Sequence, residues 1–177
     1  MRLNGPSGEL RTCNNRGDWG TRTSSLFRSL GEFNLSKTQR LSITACFIPQ
    51  NYEIENSHIF HALLLMNNLC TLTFMETDKP LITHLLNPKQ NKTHTVLCPA
   101  LKELVIYIGG YDILDFEQLA GMASERAKRF SKLSSITVIT LGGVDKHDKC
   151  RFFSLIGKHV SRVEYKVEVS PPDWDSL

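Results

Sequence analysis

The chain is 177 residues long, with 21 Lys and Arg against 18 Asp and Glu, a net charge of +3 and 41% hydrophobic content. That length suits one domain able to bury roughly 70% of its unfolded surface, and the composition is that of an ordinary globular protein. The basic residues are scattered among the acids, which gives no nucleic-acid-binding face, and the longest near-continuous apolar run, Ile59 to Met66, falls far short of the ~20 residues a membrane span needs.

Residues 1–25 are polar, contain glycine and lack an apolar signal-peptide core, so a cytoplasmic or nuclear location is expected. This stretch reads as poorly ordered or as a degenerate first repeat, since Leu10 lies 31 residues before Leu41 in the weak strand phrase Thr38-x-x-Leu41-x-Ile43. Residues 26–177 form the patterned region. A helix is expected over Ser57–Asn67, with Ile59, Phe60, Leu63, Leu64 and Met66 inward, followed by the strand phrase Leu69-x-x-Leu72-x-Phe74. A short helix over Lys79–Leu86 has Asp78 as cap and Pro80 in its first turn, and stops at Asn87-Pro88.

Next come the strand phrase Leu101-x-x-Leu104-x-Ile106 and a helix over Asp115–Phe130. In that helix Phe116, Leu119, Ala120, Ala123, Ala127 and Phe130 form the apolar stripe. Asp115 caps its start, and Arg126, Lys128 and Arg129 complement the dipole at its end. After Leu133-x-x-Ile136-x-Val138, a last helix over Asp145–Ile156 puts Phe153 and Ile156 on one side and ends at Gly157. Val160-x-x-Val163-x-Tyr165 closes the series. Gly109-Gly110 and Gly142-Gly143 each follow a strand, where glycine permits a sharp turn.

The middle apolar positions Leu41, Leu72, Leu104, Ile136 and Val163 lie 31, 32, 32 and 27 residues apart. A period of this size marks a repeat architecture. Connections this long allow parallel strands, and a single strand–helix unit cannot bury its apolar face alone. The expected fold is α/β: a β-α solenoid with a parallel sheet in sequential order and helices on the outer face. Two rows should run across it, Leu41–Leu72–Leu104–Ile136–Val163 and Ile43–Phe74–Ile106–Val138–Tyr165. Polar end material is present at Ser170–Asp175 and none is evident at the N-terminus, so the chain is expected to be the tail of a longer array.

The phrase Leu97-Cys98-Pro99-Ala100-Leu101-Lys102-Glu103-Leu104 resembles the lead-in of leucine-rich repeats in F-box proteins. With the helix to Phe130, the rung Leu133–Thr140 and the close at Val163–Tyr165 and Pro171–Trp174, residues 97–177 look like the C-terminal end of fungal F-box-like proteins. The resemblance implies a leucine-rich-repeat-like domain over 26–177, presenting a substrate for a cullin-type ubiquitin ligase. In that family an F-box docks the Skp-type adaptor. No F-box segment stands in this sequence, so a Skp-type partner is implied only if one precedes these residues.

Alternate strand residues face the side away from the helices. There Met75, Val105, Tyr107 and Ile139 would form an apolar and aromatic patch framed by Arg40, Glu103, Arg162, Glu164 and Lys166, a common form of protein-binding site. Two arrangements stay open: the patch is free, or a flanking segment covers it. On a free patch, Tyr107→Asp and Ile139→Asp leave folding intact. Neither a phosphate loop, a dinucleotide glycine pattern nor a nucleophile elbow occurs, and no cofactor is expected. His58 and His61 share a helix face without a third ligand, and the five cysteines, spaced 33, 24, 28 and 52 residues apart, read as buried apolar residues. The leading expectation is therefore a non-catalytic module that binds a protein. A small α/β enzyme with a non-sequential sheet and a degenerate, nonfunctional fragment are the alternatives.

Overall fold

The recurring phrase becomes a strand each time it occurs. In a computed structural model, which describes residues 2–5, 8–11, 35–43, 58–76, 81–89, 95–109, 114–130, 132–141 and 146–168, the elements are β1 (Arg2–Gly5), β2 (Gly8–Arg11), a 3-10 turn (Leu35–Lys37), β3 (Arg40–Ile43), α1 (His58–Leu65), β4 (Thr71–Glu76), α2 (Leu81–Leu86), β5 (Glu103–Ile108), α3 (Phe116–Arg129), β6 (Ser135–Leu141), α4 (Lys146–Ile156) and β7 (Arg162–Glu168). Outside the described residues lie Thr44, Cys13, Cys46, Asp78, Pro80, the glycines 110, 142 and 143, Asp145 and the end segment 170–175.

All seven strands form one sheet in the order β2-β1-β3-β4-β5-β6-β7. From β3 to β7 the strands are parallel and follow chain order, as the spacing requires. Both expected rows are present, Leu41–Leu72–Leu104–Ile136–Val163 and Ile43–Phe74–Ile106–Val138–Tyr165. The N-terminal edge differs from expectation. β1 is antiparallel to both β2 and β3, so a hairpin occupies the end where the sequence offered no cap. Leu10 does share a cross-strand row with Leu41, but Leu3 stands between them.

Register is held by a recurring backbone contact just ahead of each strand. Gln39 O accepts the amides of Cys70 and Thr71 at 2.8 and 3.0 Å, Cys70 O those of Lys102 and Glu103 at 2.9 and 3.0 Å, and Lys102 O those of Ser134 and Ser135 at 2.7 and 3.1 Å. At the last unit, where the spacing shortens to 27 residues, the contact splits: Ser161 donates to Leu133 O and Arg162 to Ser134 O.

Residues from all four described helices join the inward strand positions in one apolar core, so these helices share one face of the sheet. α1 contributes Phe60, Ala62 and Leu63, and α2 contributes Ile82, Leu85 and Leu86. The α1 stripe is narrower than expected, because Leu64 is exposed. In α3 the buried set is Phe116, Leu119, Met122, Ala123 and Arg126. Phe130 leaves the stripe because the helix ends at Arg129, and Phe130 takes a non-helical conformation and lies exposed. Asp115 caps α3, accepting the amides of Glu117 and Gln118 at 3.0 Å each. In α4 the inward pair is Phe152 and Ile156, one turn apart, and Phe153 is exposed. Gly157 ends this helix, and a Cβ there would lie 2.8 Å from Phe153 O, so the position demands glycine.

Arg126, expected to support the helix dipole from the surface, is fully buried. Its Nη1 donates to Leu97 O at 2.7 Å and its Nη2 to Cys98 O at 2.8 Å, while Nε has no partner among the described residues. Cys98 takes a left-handed conformation, φ 49°, unusual for a residue ahead of proline. Its thiol donates to Leu63 O at 3.3 Å. One guanidinium thus ties α3 to the turn that launches β5, and the cysteine ties that turn to α1. Arg126→Ala should cost about 3–5 kcal/mol in urea denaturation, because it strands two buried carbonyls and leaves a void. Arg126→Lys, with no fork to span both carbonyls, should recover less than half of that loss.

Candidate binding face

The face opposite the helices carries three cross-strand rows. The first is Arg40, Thr71, Glu103, Ser135 and Arg162; the second is Ser42, Thr73, Val105, Thr137 and Glu164; the third is Met75, Tyr107, Ile139 and Lys166. Strand pairing brings the six predicted site residues Met75, Glu103, Val105, Tyr107, Ile139 and Lys166 onto this face, on strands β4 to β7.

Polarity changes along the strands. In the first row Arg40, Glu103 and Arg162 are exposed and Thr71 and Ser135 half-buried. Thr71 Oγ1 donates to Glu103 Oε2 at 3.0 Å, a cross-strand bond 32 residues apart in sequence. The second row is half-buried throughout. In the third, Tyr107 and Ile139 are each only 5% exposed, while Met75 is half-buried and Lys166 exposed. Tyr107 and Ile139 therefore do not form an exposed patch. Burial also raises the Tyr107 hydroxyl above its ordinary pKa, and the negative charge of Glu168 adds to the rise.

Charge gathers on β7. Glu164 is paired with Arg162, and Lys166 Nζ lies 3.0 Å from Glu164 Oε2. The hydrogen bonds from Lys166 and Arg162 hold the Glu164 carboxyl below its usual pKa. Basic and acidic groups alternate, so this end of the face has no single-sign field.

Other reactive groups lie apart from this face. The Cys98 thiol is pushed up to about 12 by burial, against a smaller lowering from Arg126, so it stays protonated and is no nucleophile at neutral pH. Among the described residues no group of three or more His, Cys, Asp or Glu side chains could hold a metal ion, and no helix is long and apolar enough to cross a membrane. No protein-family model matches the chain, nor does any curated protein or solved structure.

Arg126 is the residue that the sequence reading misplaced. Its signal was positional: it follows Met122 by four residues and Ala123 by three, on the same stripe as Phe116 and Leu119. An arginine at that spacing needs buried acceptors.

Two measurements check this account. Tyr107→Asp should cost about 3 kcal/mol or more in chemical denaturation, because it buries a charge, whereas Glu103→Ala should stay within about 0.5 kcal/mol. Peptide-resolved thiol labelling of the native chain should modify exposed Cys150 before half-buried Cys70 and spare Cys98 until denaturant is added.

Proposed function

We propose that this chain is a non-catalytic, leucine-rich-repeat-like solenoid that binds a protein partner on the face opposite its helices, as the substrate-recognition repeats of F-box proteins do. The observation that carries this reading is the asymmetry of the sheet. One side of β3–β7 is sealed by helices, and the other presents in-register rows of mixed polarity. The parallel strands β3–β7 run in chain order, and among the described residues they lack the reversal at which a doubly wound enzyme forms its crevice, which also favours a binding module.

Burial of Tyr107 and Ile139 moves the contact surface toward the starts of the strands. Glu103, Val105 and Thr137 stand at its centre, with Arg40 on one flank and Arg162 on the other. Exposed charges on the rim set approach and specificity, and the half-buried Val105 supplies apolar contact. The partner class is a folded protein or an extended segment of one. Adaptor docking belongs to an F-box, and no residue here is given that role.

The experiment is affinity capture from native lysate with the chain immobilised. A double variant, Glu103→Arg with Thr137→Arg, should lose the captured partner while keeping its circular dichroism spectrum and melting temperature. Lys149→Glu, at an exposed position on α4, should keep the partner. Equal capture by both variants would refute binding on this face.

A further inference from the structure

β7 is the terminal strand of the sheet, and no strand lies beyond it among the described residues. Arg162 N donates inward to Ser134 O at 2.9 Å. Backbone groups alternate sides along a strand, so the amides and carbonyls of Val163 and Val167 point to the outer edge. Val167 is 54% exposed, and Phe153 on the adjoining helix α4 is 40% exposed.

The strand reads Arg162-Val163-Glu164-Tyr165-Lys166-Val167-Glu168. Its four charged residues share the face opposite the helices and alternate in sign: plus, minus, plus, minus. Reversed, the same strand reads minus, plus, minus, plus. An antiparallel copy centred on Tyr165 therefore sets Arg162 opposite Glu168 and Glu164 opposite Lys166, twice each. These are the non-hydrogen-bonded positions, where facing side chains come closest. On the helix side the same register sets Val163 opposite Val167, at the positions where backbone hydrogen bonds are exchanged.

Edge strands of monomers usually carry charge that repels a second strand. Here the order of signs makes the charge selective instead: one antiparallel register satisfies every pair, and a shift by two residues puts like charges at the centre. A parallel copy in register would oppose like with like at all four positions.

We propose that β7 pairs antiparallel with β7 of a second copy about a twofold axis at Tyr165, joining the two sheets into one. The contact is isologous, so it closes at two copies. It requires no partner on the binding face proposed above, although Arg162, Glu164 and Lys166 belong to that face as well.

Sedimentation equilibrium of the full chain tests this. The wild type should be a dimer at low ionic strength, weakening as salt is added. Lys166→Glu and Glu164→Lys, made singly, should each raise the dimer Kd by about tenfold or more, because each opposes like charges twice. The double exchange, Glu164→Lys with Lys166→Glu, should bring most of the affinity back. Arg162→Glu, whose native side chain is 75% exposed and uninvolved in the core, is a second probe should the central variants fold poorly, and it should weaken the dimer in the same way. A wild type that stays monomeric, a dimer indifferent to these variants, or a double exchange no tighter than the single ones would each overturn the proposal.

Discussion

The structure depends on register. Gln39, Cys70 and Lys102 each turn one carbonyl toward two successive amides of the following unit, which fixes where the next strand starts. A one-residue slip would send Leu72, Leu104 and Ile136 to the outside and bring Thr73, Val105 and Thr137 into the core. Burial of each leucine or isoleucine stabilises the correct register by roughly 1.5–3 kcal/mol, so the apolar rows and the shared carbonyls enforce the same alignment. The opposite face inherits that alignment. Glu103 meets Thr71, and Glu164 stands beside Thr137, only because the leucine row is in step.

The parallel part of the fold was legible because its signal is redundant. Five copies of one phrase at nearly constant spacing specify strand position, direction and neighbour together. Helix existence was also readable, from Asp115 as a cap and from the stop at Asn87-Pro88, where Asn87 Oδ1 accepts the amide of Lys89 at 3.0 Å. Inward faces were less secure. Phe152 and Phe153 are adjacent aromatics, and either could lead a stripe ending at Ile156; the choice is made by Phe116 and Tyr165, whose rings lie 5.6 and 5.5 Å from that of Phe152. That contact is tertiary and leaves no local trace.

Three features were not legible for other reasons. The β1–β2 hairpin occurs once, so no periodicity announces it, and its pairing with β3 spans more than thirty residues. At its most common value Arg126 reads as a surface cation near a helix end, whereas its spacing places it on the buried stripe. Tyr107 and Ile139 alternate correctly to the face opposite the helices, yet alternation says nothing about what lies above a sheet. The sequence thus located the face opposite the helices but overstated how far its exposed part extends toward the strand ends.

The tie between Arg126 and the turn at Leu97–Cys98 has a consequence for how the molecule opens. Each strand of β3–β7 contacts only its immediate neighbours, so the sheet can come apart from an end without disturbing its middle. The guanidinium bridges two successive units around β5, near the centre of that series. Amide hydrogen exchange should therefore be slowest in β5 and its flanks and quicken toward β7, with the terminal unit fraying long before global unfolding. The buried cation would act as the pin about which the stack holds while its ends breathe.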